Sequence, residues 1–86
     1  MQVLVTGGLG YIGSHTSVLL LEKGYDLVIV DDLSNSNEKV LININKITGK
    51  NPIFEKIDLK NKNSVSKLFK NYDFDGIIHF AAHKSV

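Results

Sequence analysis

Four glycines lie within seven consecutive positions that begin two residues after a short apolar run near the start of the chain. The stretch reads VLVTGGLGYIGSH over residues 3–15, with glycine at positions 7, 8, 10 and 13. Branched apolar residues are typical of a strand, and the pattern after the glycines is typical of a helix. A sharp turn from a strand into a closely packed helix favours glycine, which tolerates unusual dihedral angles and adds no bulk. The stretch therefore predicts a tight strand–turn–helix unit.

The rest of the chain continues this alternation. Apolar runs predict four strands, at residues 3–5, 27–30, 53–57 and 76–80. Three helices are predicted between them, over residues 11–23, 38–48 and 63–70. The order β-α-β-α-β-α-β predicts an α/β fold, namely part of a Rossmann-like, doubly wound parallel sheet with right-handed crossovers and strand order 3-2-1-4.

Local signals mark the ends and faces of these helices. Gly24 and Gly49 are favoured residues at the ends of the first two helices, and Asn35 with Glu38 resembles a capping box before the second. Apolar residues at helical spacing are predicted to share one face in each of the later helices: Val40, Leu41, Ile44 and Ile47 in the second, and Val65, Leu68 and Phe69 in the third.

Composition excludes several classes of function. The chain has 86 residues, enough for at most one small domain, and a formal net charge of +1, so neither nucleic acid nor an acidic membrane is an expected partner. It has no cysteine, which excludes disulfides and thiol chemistry. No signal peptide or membrane span is expected, and a cytoplasmic location is predicted. His79 and His83 lack the third ligand that a zinc site needs, so no metal is expected.

The glycine pattern predicts a dinucleotide site. Residues 8–13 fit G-x-G-x-x-G, and counting from Gly7 they fit G-x-x-G-x-x-G. After a strand and before a helix, such glycines let backbone N–H groups approach a pyrophosphate. The second strand ends at Asp31, 18 residues after Gly13, where an acid binds the ribose hydroxyls of NAD and repels the 2′-phosphate of NADP. The chain has no arginine to receive that phosphate, so NAD is predicted.

Two other interpretations of these residues stay open. Methyltransferases that bind S-adenosylmethionine also combine a strand, a glycine-rich loop and an acid. A glycine-rich turn can also serve the fold alone, without a ligand.

Several short motifs resemble one family. Residues 6–15, TGGLGYIGSH, resemble the fingerprint of the extended short-chain dehydrogenases/reductases. DDLSNS at 31–36, the Asp58–Leu59 pair and HFAAHKSV at 79–86 are similar to the UDP-glucose 4-epimerases within that family. Members are several times longer than this chain. The resemblance therefore implies that residues 1–86 form the N-terminal portion of an NAD-binding domain, without the catalytic and UDP-sugar-binding parts.

The resemblance also implies cofactor-binding roles for particular residues. On the pyrophosphate loop these are Gly7, Gly10, Tyr11, Ile12 and Gly13. Around the adenosine ribose they are Asp31, Asp32, Leu33, Ser34, Asn35 and Ser36. Beside the adenine and after the fourth strand they are Asp58, Leu59, Phe80, Ala81, Ala82, His83 and Lys84. Position 82, often glycine in the family, is alanine here. An alternative role for Asp58 is to cap the turn before Asn61.

The resemblance implies an isomerase whose catalytic pair is absent from this chain. In the family a Tyr-x-x-x-Lys pair supports transient NAD-dependent oxidation at C4, which interconverts UDP-glucose and UDP-galactose in galactose metabolism. None of Tyr11, Tyr25 and Tyr72 is followed by lysine four positions later. No catalytic residue is therefore predicted, and the chain alone is expected to be inactive.

Other functions and assemblies remain possible at this point. Nucleotide-sugar 4,6-dehydratases and UDP-glucuronate decarboxylases share the fingerprint, and a non-enzymatic NAD-sensing module is a further alternative. The longer protein is expected to be a homodimer. The fourth strand would leave an unpaired apolar edge in the isolated chain, which predicts self-association.

Overall fold

A computed structural model describes residues 1–33 and 37–80 of the chain. Seven elements alternate along it: β1 (Gln2–Thr6), α1 (Tyr11–Glu22), β2 (Asp26–Asp31), α2 (Lys39–Thr48), β3 (Ile53–Lys56), α3 (Lys62–Asn71) and β4 (Gly76–His79). The predicted strands and helices are confirmed, and each observed boundary lies within one residue of its prediction.

The four strands form one parallel sheet in the order β3-β2-β1-β4, which confirms the predicted Rossmann-like topology. Val5 is opposite Ile29 in the pairing of β1 with β2, and Thr6 is opposite His79 in the pairing of β1 with β4. Because all strands run in the same direction, their carboxyl ends meet at one edge of the sheet. The sheet order changes direction between β1 and β4, where α/β folds bind their ligands.

The core lies on both faces of the two central strands. One cluster consists of Val3, Val5, Leu9, Leu21, Leu27, Ile29 and Ile44, and the opposite cluster consists of Leu4, Val28, Val30 and Leu68. Burial of each large apolar side chain stabilises the fold by about 1.5–3 kcal/mol before conformational entropy is counted. This two-sided burial explains why β1 and β2 are continuous apolar runs.

The predicted apolar faces of the later helices are only partly buried. Ile44 in α2 and Leu68 in α3 are buried, whereas Ile47 and Phe69 are 64% and 48% exposed. No helix within residues 1–33 and 37–80 is both long enough and apolar enough to span a membrane.

The sequence predicts the end of α1 better than the start of α2. Gly24, at φ +94°, follows α1; its N–H donates to Leu21 O and the N–H of Tyr25 donates to Leu20 O, both at 3.1 Å, as in a Schellman motif. The capping-box prediction for α2 is wrong in the position of Glu38. This residue is the N-cap, not the third helical residue.

The side chain that supports the start of α2 is instead that of Asn37. Its Oδ1 accepts from the N–H of Lys39 at 2.9 Å, because an asparagine oxygen can reach the backbone two residues further on. Asn35 lies outside the described residues.

A side-chain hydrogen bond joins the end of α3 to β3. The hydroxyl of Tyr72 donates to Glu55 Oε2 at 2.9 Å, and the Tyr72 ring stacks on Phe74 with centroids 5.7 Å apart. The hydrogen bond to Glu55, with smaller contributions from burial and from the charge of Glu55, raises the pKa of Tyr72 above its ordinary value of 10.0.

We therefore expect Tyr72 to ionise late and to stabilise the fold in a pH-dependent way. Because its folded-state pKa is the higher one, its contribution is fully present below about pH 10 and is lost as the pH rises through the folded-state pKa. In a spectrophotometric titration, Tyr72→Phe should abolish the late ionisation step and Glu55→Gln should move it to lower pH. Tyr25→Phe is the control and should retain that step; its loss in the control would contradict the assignment.

Candidate functional site

The turn between β1 and α1 brings the start of a helix to the carboxyl edge of the sheet. The N–H of Gly7 donates to Val30 O at 2.7 Å, and Gly7 has φ +69°. The N–H of Gly10 donates to Gly7 O at 3.1 Å, and α1 begins at the next residue. Gly10 is the N-cap and has no side chain to bond the first-turn N–H groups, and that turn contains no acidic residue. The first N–H groups of α1 and the positive end of its dipole are therefore suited to bind an anion.

The glycines of this turn differ in whether packing requires them. A Cβ on Gly13 would lie 2.1 Å from Gly7 O and 3.0 Å from Gly8 Cα, and a Cβ on Gly8 would lie 2.5 Å from Ile29 Cγ2. These two glycines are required by packing. Gly10 differs, because its φ is −72° and the nearest atom to its Cβ would be Gly7 O at 3.4 Å. The fold can accommodate a side chain there, so packing does not require glycine at position 10.

Asp31 lies beside this turn at the end of β2 and is 8% exposed. Its Oδ2 accepts from the N–H of Leu9 at 3.2 Å, and its Oδ1 accepts from the N–H of Leu33 at 2.8 Å. The carboxylate therefore connects the loop after β1 with the loop after β2. Hydrogen bonds to a carboxylate are stronger than those between neutral groups, so this connection orders both loops.

The remaining described candidates follow β3 and β4. Asp58 caps a turn: its Oδ1 accepts from the N–H of Lys60 at 2.9 Å, and its carbonyl oxygen accepts from the N–H of Asn61 at 2.9 Å. Leu59 is partly buried against the cluster that contains Leu68. The N–H of Phe80 donates to Thr6 O at 2.8 Å, which extends the pairing of β4 with β1. All of these residues follow the carboxyl ends of strands.

The other predicted site residues are Tyr11, Ile12 and Asp32, which the structure describes, and seven that lie outside the described residues. Tyr11 and Ile12, in the first turn of α1, are 82% and 63% exposed, and the Tyr11 ring meets His15 edge-to-face at 5.0 Å between centroids. Asp32 adjoins Asp31 at the end of β2. The predictions for Ser34, Asn35, Ser36, Ala81, Ala82, His83 and Lys84 fall outside the described residues.

Three residues that shape the candidate site were not predicted as site residues. Leu9 supplies an N–H to Asp31, Gly8 permits contact with Ile29, and Thr6 hydrogen-bonds through its hydroxyl to Nδ1 of His79. Gly8 was detectable, since it belongs to the glycine motif. The roles of Leu9 and Thr6 depend on contacts between distant segments, for which the sequence carries no local signal.

A separate cavity of about 400 Å³ lies at the end of the sheet opposite to the glycine turn. Its lining includes Gln2 and Asp26, which begin β1 and β2, together with Lys50 and Pro52 from the loop before β3. The cavity is therefore at the amino ends of the strands, away from the glycine turn and Asp31.

Comparison with known proteins identifies the family. Residues 4–86 match the family model for GDP-mannose 4,6 dehydratase. The chain belongs to the GDP-mannose 4,6 dehydratase family. Its predicted similarity to UDP-glucose 4-epimerases is also confirmed. The epimerase uge1 of Schizosaccharomyces pombe is 55% identical over 84 residues, which cover 98% of this chain and 24% of that protein.

Further relatives show the same relationship. The UDP-glucose 4-epimerase of Bacillus subtilis is 46% identical over all of this chain and 25% of its own length. The epimerase from Bifidobacterium longum in complex with NAD+ and UDP is 40% identical, with a TM-score of 0.94 over 100% of this chain and 26% of that one. The epimerase from Stenotrophomonas maltophila, with bound NAD and formylated UDP-arabinopyranose, is 46% identical with a TM-score of 0.92 over the same 100% and 26%. This member of the family thus spans about a quarter of the length of these relatives.

The packing of the glycine turn predicts unequal effects of two similar substitutions. Gly13→Ala should lower the free energy of unfolding by about 1–3 kcal/mol, because the new methyl group would overlap the backbone of Gly7. Gly10→Ala should cost less than about 1 kcal/mol, since alanine is only a poorer N-cap there. Thermal unfolding followed by circular dichroism measures both, and equal losses would contradict the distinction.

Proposed function

We propose that residues 1–86 are the N-terminal portion of the NAD-binding domain of a UDP-glucose 4-epimerase and bind the adenosine and pyrophosphate parts of NAD. The observation that carries the proposal is the Asp31 carboxylate, held beside the glycine turn by the N–H groups of Leu9 and Leu33. An acid at the end of the second strand, next to an uncapped helix N-terminus, suits a ribose joined to a pyrophosphate. The relatives crystallised with NAD support the same cofactor.

In this proposal each segment has a different part of the cofactor to bind. The helix N-terminus receives the pyrophosphate, the loop after β2 receives the ribose, and the segments after β3 and β4 border the adenine and the nicotinamide side. The proposed binding residues are Gly7, Gly10, Tyr11, Ile12, Gly13, Asp31, Asp32, Leu33, Ser34, Asn35, Ser36, Asp58, Leu59, Phe80, Ala81, Ala82, His83 and Lys84.

The turn at Asp58 is compatible with the proposed role of this residue beside the adenine. Its Oδ1 already accepts the backbone N–H of Lys60, so the capping role suggested by the sequence is present. A carboxylate has two oxygens with several lone pairs, so capping and acceptance from the adenine amine are compatible. The cap would hold the side chain at the end of β3 in a fixed direction.

Charge favours NAD over NADP at this site. The buried Asp31 carboxylate would lie next to the 2′-position of the ribose, where a phosphate would be repelled. All ten basic residues are lysine, so no arginine fork is present to bind that phosphate in two places.

The proposed reaction of the longer protein is the interconversion of UDP-glucose and UDP-galactose. NAD supplies the hydride acceptor for transient oxidation at C4, and this chain's residues hold and orient it. The Tyr-x-x-x-Lys pair is absent from residues 1–86, so the chain alone should have no epimerase activity. We further propose that the longer protein acts in galactose metabolism in the cytoplasm as a homodimer, without nucleic-acid or membrane partners.

A nucleotide-sugar 4,6-dehydratase is the second candidate. It is favoured by the description of the matching family model, whereas the epimerase is favoured by identities of 46–55% to proteins of that name. Separate incubations of the longer protein with UDP-glucose and with GDP-mannose distinguish the two, since an epimerase converts UDP-glucose to UDP-galactose and a dehydratase converts GDP-mannose to a 4-keto-6-deoxy sugar.

The cofactor proposal is tested by isothermal titration of the chain with NAD. Asp31→Ala should weaken binding at least about tenfold, because hydrogen bonds to a charged group are lost. Asp26→Ala is the matched control: it removes the same charge from an exposed position at the other end of β2 and should bind like the wild type. Circular dichroism verifies that each variant is folded. No binding by the wild type, or equal binding by both variants, would refute the proposed site.

The outer strand β4 supports a separate proposal about the isolated chain. Within the described residues β4 pairs with β1 only, and Ile77, at the middle of β4, is 55% exposed. Phe69, on α3, is also 48% exposed. Unpaired backbone groups beside apolar side chains favour pairing with another strand. We propose that isolated copies of this chain associate through β4.

Sedimentation velocity over a range of concentrations tests this association. The wild type should form dimers or larger species as the concentration rises, and Ile77→Lys should reduce them because a charge at the strand edge opposes pairing. Ile47→Lys is the control, since Ile47 is 64% exposed on α2, away from the sheet edge. A wild type that stays monomeric, or an equal effect of both substitutions, would count against association through β4.

A further inference from the structure

We propose that Leu33 is a positioning residue that fixes the Asp31 carboxylate for recognition of the 2′-hydroxyl of the adenosine ribose. The inference rests on the proposed binding of NAD and assigns to Leu33 a role that acts through Asp31. It follows from the backbone conformation of Leu33, its hydrogen bond and the packing of its side chain.

The backbone of Leu33 is in a conformation that leucine rarely adopts. Its φ is +65°, and the other described residues with positive φ are Gly7, Gly24 and Gly49. In this region the Cβ of an L-residue approaches its own backbone closely, so the conformation needs support from its surroundings. The N–H of the same residue donates to Oδ1 of Asp31, two residues earlier, at 2.8 Å, and φ sets the direction of the Leu33 side chain relative to this N–H.

The side chain of Leu33 provides that support. It is partly buried against the core cluster that contains Val5, Leu9 and Ile29. Glycine or asparagine would adopt a positive φ more easily but would bring little or no apolar side chain to this cluster. The leucine therefore combines an unfavourable backbone conformation with favourable packing, and the packing holds the N–H in place.

The second donor to Asp31 is anchored in the same way. Leu9 donates its N–H to Oδ2 of Asp31 at 3.2 Å, and its side chain is 2% exposed within the same cluster. Each carboxylate oxygen is thus bonded by the backbone N–H of a leucine, and the side chain of that leucine lies within this cluster (Leu9) or packs against it (Leu33). The carboxylate is oriented before a ligand arrives, so the ribose binds without a further cost of ordering this group.

The consequence is that Leu33 should influence selectivity for the ribose, beyond its contribution to folding. A carboxylate that loses the hydrogen bond from the N–H of Leu33 is held less firmly, and its hydrogen bond to the 2′-hydroxyl weakens. A purely structural residue would instead weaken the binding of all dinucleotides to a similar extent. The ratio of the affinity for NAD to the affinity for an analogue without the 2′-hydroxyl therefore distinguishes a positioning role from a purely structural one.

The experiment measures, by isothermal titration of the full chain, the Kd for NAD and for its analogue that lacks the 2′-hydroxyl of the adenosine ribose. The wild type should prefer NAD about tenfold, the effect of one hydrogen bond to a charged group. Leu33→Ala should reduce this preference to about threefold or less, because the substitution removes the anchor and retains a Cβ that opposes positive φ. Leu33→Asn, which tolerates positive φ but lacks the apolar anchor, should have an intermediate preference.

Leu41→Ala is the matched control. Leu41 is a partly buried leucine of α2 that packs against the same cluster. Its truncation should lower the melting temperature in a similar way and leave the tenfold preference unchanged. Melting curves for all variants identify any that does not fold, and Leu33→Asn serves if Leu33→Ala is unfolded.

Each outcome decides between the possibilities. A preference that falls in the Leu33 variants and persists in Leu41→Ala supports the inference. Three results overturn the inference but leave NAD binding intact: the Leu33 variants retain the preference for NAD, Leu41→Ala loses it to the same extent, or a wild type that binds NAD shows no preference. A wild type that binds neither dinucleotide overturns the proposed function of this chain and the role of Leu33 together.

Discussion

The contact on which the other features depend is that between the first turn of α1 and the backbone of the loop before it. A Cβ at position 13 would lie 2.1 Å from the carbonyl oxygen of Gly7. Glycine allows α1 to begin against the loop, and the buried hydroxyl of Ser17 donates to Gly13 O at 2.8 Å one turn further on. This contact sets where α1 begins, and it directs the N-terminal end of the helix toward the carboxyl edge of the sheet.

The candidate site is built on the same framework, because its polar groups are held by residues of the hydrophobic core. Ile29 packs close to Gly8, and Leu9 and Leu33 hold the two oxygens of Asp31 through their backbones. Packing of the core and the geometry of the candidate site are therefore coupled at these strand ends. The exception is Gly10, whose replacement the packing can accommodate.

Much of the fold could be predicted because its local signals are strong and agree with one another. Apolar runs, glycines after helices and the spacing of the glycine turn all indicated the same alternation. The errors occurred where several local signals compete or where a partner is needed. Asn37 supports the start of α2, where Glu38 is the N-cap and not the third helical residue, and Phe69 remains half exposed although its spacing predicts a buried face.

By itself, the sequence determined the order of strands and helices, the position of the glycine turn and the acid that ends β2, since each depends on residues close together in the chain. The tertiary structure alone decided which glycines of the turn are needed for packing and which one is not. It also decided that Asp31 is shared by two loops, because Leu9 is 22 residues away in sequence and meets it only after β1 and β2 have paired. Such contacts arise from the folded arrangement, and no local pattern encodes them.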